Sequence, residues 1–169
     1  PMLLIVGLFI WVDSPGRVIF RQVRLGYEAN PFVVYKFRTM HNRSWAIQNI
    51  RGKDPRVTGV GRILRRTHID ELPQLWNIIL GQMTFIGPRP QVPELVGIYR
   101  DIYPRRYMNR FSLFPGITGL AQIYVVRDHS LSLSSYIAYD EVYRLRRSLG
   151  LDMTIGFKTI LKMSRGLGR

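Results

Sequence analysis

Arg17 to Met40 reads RVIFRQVRLGYEANPFVVYKFRTM. Its two flanks, Arg17 to Arg24 and Phe32 to Met40, are rich in β-branched and aromatic residues, and they enclose Gly26 to Pro31 (GYEANP), a turn composition. The stretch predicts a β-hairpin. In the second strand, period-two alternation puts Lys36 and Arg38 on one face, opposite Tyr35 and Phe37. Two cations side by side repel unless water screens them or an anion joins them, so the face is either solvated or an anion site.

Downstream the patterning turns helical. His41 to Lys53 is polar and reads as a loop, or as a short helix at its middle. Asp54 to Gly61 leads into Arg62 to Thr67 (RILRRT), an arginine-dense turn or helix. The clearest helix follows, because Leu72, Leu75, Trp76, Ile79 and Leu80 form an apolar stripe. Asp70 is placed to cap it, Pro73 is tolerated in its first turn, and Gly81 can end it. Phe85 to Pro90 (FIGPRP) is a stiff connection with Arg89 between two prolines. Pro93 to Phe111 reads as partly helical with a break at Pro104, and Pro115 to Gln122 (PGITGLAQ) as a glycine-bearing loop or turn. Ser134 to Leu149 and Met153 to Ser164 close the chain as two helices, the second capped by Asp152. In that last helix Ile155, Ile160 and Leu161 stand beside Lys158, Lys162 and Arg165. The mixture suits a membrane surface, or equally an amphipathic helix on a core. The expected fold is a mainly helical α+β domain: a β-hairpin and amphipathic, interfacial helices around one helix that carries an acidic pair.

Upstream of the hairpin, Met2 to Val12 (MLLIVGLFIWV) is an unbroken apolar run ended by Ser14-Pro15-Gly16. As a helix it spans about 16 Å, roughly half of a hydrocarbon core, so it does not cross a bilayer alone. The run is not expected to be a secretory signal, since no basic region stands before it in this sequence and no small-residue cleavage site follows. It is a buried core helix or one arm of a segment that enters a membrane and turns back.

Composition narrows the partners. Lys and Arg number 25 against 11 Asp and Glu, a net charge of +14, and there is no cysteine. Disulfides and thiolate metal sites are excluded. The positive balance favours an anionic partner: nucleic acid, phospholipid headgroups or a phosphorylated substrate. Most of the positive charge is arginine, whose forked donors suit phosphate oxygens.

Asp70-Glu71 is where chemistry is expected. At a helix start both carboxylates can converge on one ligand, and a phosphate there would feel the helix's free N–H groups. The neighbourhood supplies Arg62, Arg65, Arg66 and Arg89, with Lys36 and Arg38 on the hairpin. Acids set among so many bases suggest phosphoryl transfer, in which charge must be neutralised while one group attacks. The structural alternative is a helix cap, a first-turn glutamate and solvated arginines.

The strings SPGRVIFRQVRLG, FVVYKFRTM, DPRVTGVGRILRRTHIDELPQLWNIILGQMTFIGPRP and PGITGLAQ resemble the bacterial sugar transferases known as monotopic phosphoglycosyl transferases. The resemblance runs from Pro1 to about Lys162, and the DELPQLWN and GPRP blocks are its most specific part. It implies that Asp70 and Glu71 are the catalytic dyad. Asp70 would attack the sugar-bearing phosphate of a UDP-sugar, expel UMP and pass the sugar phosphate to polyprenyl (undecaprenyl) phosphate. Glu71 would bind Mg²⁺. Lys36, Arg65 and Arg89 fall on the family's phosphate contacts, and Asp140 on a carboxylate that orients. Arg38 and Arg62 are grouped with the substrate contacts. By the same resemblance residues 1–13 are the returning arm of a re-entrant membrane helix, with Pro1 at its turn and an entering arm expected upstream. Residues 14–169 are then the catalytic domain, on the cytoplasmic face of the bacterial inner membrane. The implied role is the first membrane step of exopolysaccharide, lipopolysaccharide or glycoconjugate assembly, without a nucleic-acid partner.

Two departures from the family pattern stand out. Phe114 precedes the PGITG block where arginine is usual, and Ile123 to Arg127 replaces a Gly-Arg pair, with Arg127 the nearest stand-in. Both bear on donor choice. The other readings are a non-enzymatic basic module that binds anionic lipid or RNA, favoured by the charge and the aromatic content, and a degenerate family member that scaffolds membrane assembly.

Overall fold

The computed structural model describes residues 2–41, 54–125 and 133–164. The expected loop from His41 to Lys53 lies outside the described residues from position 42 onward, as do Arg127 and Arg165. The chain divides into two compact units. The first holds residues 1–21, 35–73 and 162–169, and the second holds residues 22–34 and 74–161. The hairpin expected from the sequence is present as an antiparallel pair, β1 (Ile19–Leu25) and β2 (Pro31–Phe37), around a 3-10 turn at Tyr27–Ala29.

The first unit opens with α1 (Met2–Asp13), a single helix that stops at the breakers foreseen there. Ile10 is buried, and Val6 is packed against the same cluster. Ile10, Phe37 and Leu64 form that cluster, with Val18, Ile19, Val60 and Ile69 around it. Leu3, Leu4, Ile5, Leu8, Phe9, Trp11 and Val12 of the same helix are exposed, an apolar surface well beyond scattered single residues. Among the described residues no helix is long and apolar enough to cross a membrane.

Helix α2 (Gly59–Thr67) has two caps at its start. Thr58 Oγ1 accepts the Gly61 N–H at 2.9 Å, and Asp13 Oδ2, from the end of α1, accepts the Val60 N–H at 2.9 Å. The hydrogen bond with Thr58 holds the Asp13 carboxyl below its ordinary range, burial opposes this, and the Val60 N–H adds to it. Gly61 lets α2 lie directly on the end of the hairpin: a Cβ there would stand 2.2 Å from the Thr39 carbonyl oxygen.

The second unit is built from the hairpin tip, α3 (Leu75–Ile79), β3 (Thr84–Ile86), α4 (Pro93–Ile102), α5 (Pro104–Asn109), β4 (Gly116–Thr118), α6 (Leu120–Tyr124), α7 (Leu133–Arg146) and most of α8 (Leu149–Ser164). Pro104 separates α4 from α5 as expected. Strands β3 and β4 pair in parallel, Thr84 with Gly116 and Ile86 with Thr118, where the sequence suggested only a stiff connection and a loop. Beyond this pair the backbones stay so close that a Cβ on Gly116 would sit 2.1 Å from the Gly87 nitrogen. Two apolar clusters hold the unit: Val96, Tyr107, Phe111 and Ile137 form one, and Leu120, Tyr143 and Ile155 the other.

Two helix boundaries differ from expectation. Helix α8 begins at Leu149 and is capped by Ser148, whose Oγ accepts the Leu151 N–H at 3.2 Å. Asp152 lies inside it and accepts the Tyr143 hydroxyl at 2.7 Å. The helix buries Ile155 and exposes Leu149, Met153, Phe157 and Ile160, as an amphipathic helix on a core does. The acidic helix is also shorter than its stripe suggested. Ile69–Gln74 is a 3-10 turn and only Leu75–Ile79 is α-helical. Pro73 supplies no N–H and disfavours α geometry at Leu72, so a regular helix starts only beyond it. The stripe it carries faces outward, with Trp76 at 55 % and Ile79 at 72 % exposure.

Candidate active site

In the first unit, α2 ends at His68, whose φ of 58° is left-handed, and this reverses the chain into the 3-10 turn. The Glu71 N–H closes the reversal on the His68 carbonyl at 3.1 Å. Asp70 and Glu71 therefore lie within a tight turn rather than ahead of an α-helix, and the phosphate-binding helix start expected there is not what holds them. Both are buried, at 7 % and 5 % exposure. Carboxylates are rarely so buried unless paired. Glu71 meets the Lys36 ammonium, Nζ to Oε1, at 2.7 Å.

The basic side chains separate by task. Arg65 donates from Nε to Thr39 Oγ1 at 2.8 Å. Burial lowers its pKa, while the Asp70 carboxylate, followed by that of Asp54, pulls the other way, so Arg65 lies in the field of Asp70. Arg62 is on the exposed side of α2. Arg38 lies just past the end of β2, which carries Lys36 and stops at Phe37. Its guanidinium donates to the Ser14 carbonyl and, at 3.3 Å, to that of Pro15, just past the end of α1. It is buried, and burial lowers its pKa. The two cations foreseen side by side thus have different anchors: a carboxylate for Lys36 and backbone carbonyls for Arg38. Asp54 and Arg56 form a further pair at 2.7 Å, which takes the Asp54 carboxyl down to about 2.

In the second unit, Asp140 is buried and pairs with Arg110, Nη2 to Oδ2, at 2.9 Å. Burial pushes the Asp140 carboxyl up and the guanidinium pulls it back. The same Nη2 donates to the main-chain carbonyl of Arg89 at 2.8 Å, and the Arg110 guanidinium lies over the Tyr107 ring, 5.3 Å from its centroid. Residue order does not single out Arg110. Its position one turn after Tyr107 and beside Phe111, both core residues, is the signal that would have set it apart. Phe114, the first departure from the family pattern, stacks on Tyr27 with ring centroids 4.6 Å apart and planes 12° from parallel.

The donor set bears on a metal ion. Among the described residues no group of three or more His, Cys, Asp or Glu could enclose one. Mg²⁺ is commonly held by only one or two carboxylates together with substrate phosphates, and adjacent Asp70 and Glu71 supply hard oxygen donors of that kind. The residues fit such an ion, with the Lys36 ammonium as the cation already on one oxygen of Glu71.

A buried acidic pair with a lysine on one member and an arginine in the field of the other is an arrangement suited to phosphoryl chemistry. Residues 1–166 match the family described as bacterial sugar transferase, and the chain belongs to that family. It is 40 % identical to the exopolysaccharide production protein PSS of Rhizobium leguminosarum bv. phaseoli, across 99 % of this chain and 88 % of that protein. It is 42 % identical to the UDP-glucose:undecaprenyl-phosphate glucose-1-phosphate transferase of Klebsiella pneumoniae, across 96 % of this chain and 36 % of that protein. Identity is 38 % to the UDP-N-acetylgalactosamine-undecaprenyl-phosphate N-acetylgalactosaminephosphotransferase of Aeromonas hydrophila, across 99 % of this chain and 40 % of that one. The chain spans most of the first of these relatives and little more than a third of the other two.

Proposed function

We propose that this chain transfers a sugar 1-phosphate from a UDP-sugar to polyprenyl phosphate, the entry step of exopolysaccharide assembly. The observation that carries the reading is the pair Asp70-Glu71, buried on one turn with Lys36 on Glu71 and Arg65 in the field of Asp70. Relatives named for this transfer to undecaprenyl phosphate support it.

In the reaction a carboxylate oxygen of Asp70 attacks the phosphorus that bears the sugar. The bond from that phosphorus to the bridging oxygen breaks, and UMP leaves with the oxygen. An oxygen of polyprenyl phosphate then attacks the same phosphorus and frees the Asp70 carboxylate, so atoms and charge balance over the two steps. Arg65 contacts the donor's phosphates, and Lys36 neutralises Glu71. When bound at Glu71, Mg²⁺ supplies charge neutralisation at the diphosphate. An apolar carrier places the reaction at a bilayer, for which the exposed face of α1 offers apolar surface and the +14 charge an attraction to anionic headgroups. The cytoplasmic leaflet, with α1 as the returning arm of a re-entrant segment, is the seat we assign. Relatives named for different sugars leave the donor sugar to experiment.

The test incubates the protein with Mg²⁺ and a panel of UDP-sugars, follows UMP release, and looks for an adduct by intact mass. The wild type should gain the mass of one sugar phosphate with its own donor, and Asp70→Asn should release no UMP and form no adduct. Release by Asp70→Asn at the wild-type rate would remove Asp70 as nucleophile. Tight, steeply salt-dependent retention on RNA without UMP release would favour a binding module instead.

A further inference from the structure

Thr39 is buried just beyond the end of β2, and the main chain around it is pinned. The Arg38 N–H donates to Val18 O at 2.8 Å, the Thr58 N–H to Thr39 O at 3.1 Å, and the His41 N–H to Arg56 O at 2.9 Å. Residues 39–41 thus run antiparallel to residues 56–58, with Met40 bridged to Val57. Thr58 also caps α2, and Gly61 seats the first turn of that helix on Thr39, where a Cβ would stand 2.2 Å from the carbonyl oxygen. Arg65 is four residues after Gly61, so its side chain leaves the same face of the helix. It reaches back to Thr39, Nε to Oγ1 at 2.8 Å. A guanidinium has two edges that can fork onto an anion, one made of Nε with an Nη group and one made of both Nη groups. The threonine occupies Nε, which closes the first edge and leaves the second. Of the charges around Arg65, the Asp70 carboxylate acts on it most strongly and that of Asp54 next. All of these residues belong to the first compact unit.

We propose that Thr39 is a positioning residue for Arg65: its hydroxyl takes the Nε–H and so aims the edge made of the two Nη groups at the donor's diphosphate beside Asp70. The inference rests on the proposed function, in which Arg65 contacts the donor's phosphates, and it names what holds that arginine ready. A long arginine side chain otherwise spreads its guanidinium over many positions, and ordering it at the moment of binding costs free energy. A bond at Nε to a buried hydroxyl on a pinned main chain removes most of that freedom before the donor arrives. Forked contact to phosphate needs a placement within a fraction of an ångström, and a shift of about 1 Å can cost on the order of 100-fold. Thr39 on this account acts through Arg65 and not by contact with substrate.

The test is a double-mutant cycle on UMP release, measured over a range of UDP-sugar concentration with Mg²⁺ and the intact chain. Thr39→Val keeps the shape of the side chain without the accepting hydroxyl, and should lower kcat/KM by at least about tenfold. Thr39→Ser restores the acceptor and should stay within about threefold of wild type. In the Arg65→Ala background Thr39→Val should change kcat/KM by less than about twofold, since no guanidinium is left to aim. A Thr39→Val effect of the same size in both backgrounds overturns the inference, because the hydroxyl would then act independently of Arg65. A Thr39→Ser protein as impaired as Thr39→Val overturns it too, because the methyl and not the hydroxyl would matter. If Thr39→Val fails to fold, Arg65→Lys decides the matter. It keeps the charge but has no Nε–H and no fork, and should fall as far as Arg65→Ala, whereas wild-type kcat/KM in Arg65→Lys overturns the inference. Asp70→Asn separately reports whether the transfer reading stands: UMP release lost there but unchanged in Thr39→Val would keep that reading and remove this one.

Discussion

Lys36→Met tests whether the acidic pair depends on its counter-ion. The Lys36 to Glu71 distance is 2.7 Å, and the side chains are 17 % and 6 % exposed. At an effective dielectric of about 20 the attraction is roughly 6 kcal/mol, most of which offsets the desolvation of the two ions. Breaking such a pair from one side leaves a buried carboxylate without its ammonium and typically costs about 3–5 kcal/mol. Lys36 keeps some contact with water, so the lower end, about 3 kcal/mol, applies. For a chain of this size that is a fall in Tm of about 6–12 °C. The decisive measurement is the double variant. If the loss comes from the stranded charge, Lys36→Met combined with Glu71→Gln should melt well above Lys36→Met alone and recover at least half of the difference. Circular dichroism melts of the four proteins at pH 7 suffice. A Lys36→Met protein that melts within about 1 °C of wild type, or a double variant no more stable than the single, would refute the reasoning.

Two further outcomes follow from the same unit. Gly61→Ala should cost about 1–3 kcal/mol, as overpacking does, because its Cβ would meet the Thr39 carbonyl oxygen at 2.2 Å and the Thr39 Cα at 2.8 Å, and backbone cannot step aside. Gly97→Ala, a helical position with nothing within 4 Å, is the control and should be neutral or stabilising in the same urea titration; equal midpoints for the two variants would contradict this packing. The second outcome concerns acid. Asp54 has a folded pKa of about 2 against an ordinary 3.8, first because of its hydrogen bond with Arg56. A depressed folded pKa means the unfolded chain takes up the proton first, so the contribution is complete above about pH 4 and is lost as pH falls toward 2. Asp54→Asn should flatten the decline of Tm between pH 4 and pH 2, and parallel wild-type and variant curves would show that the pair contributes nothing.

Much of the site's location was legible in residue order. The DELPQLWN block marked the acidic pair, and breakers marked the end of α1. What residue order misjudged was the company each charge keeps. Lys36 and Arg38 alternate in sequence as strand neighbours do, yet the strand ends between them and their side chains find a glutamate 35 positions on and the backbone of residues 14 and 15. The burial of Arg110 against Asp140 is not visible in residue order, because only the packed clusters show which face of a short helix turns inward. The three-residue strands β3 and β4 are too short for any periodicity, and each becomes a strand only by pairing with a partner some thirty residues away.

The sequence by itself determined the hairpin, the helical remainder, the apolar first helix and the family, because each of these rests on short-range patterning or on residues in a specific order. Only the folded arrangement shows that Lys36 belongs to Glu71 and that Arg110 belongs to Asp140. Those are contacts between residues far apart in the chain. Their free energy comes from burial and pairing that exist only once the chain has folded, and no local propensity encodes them.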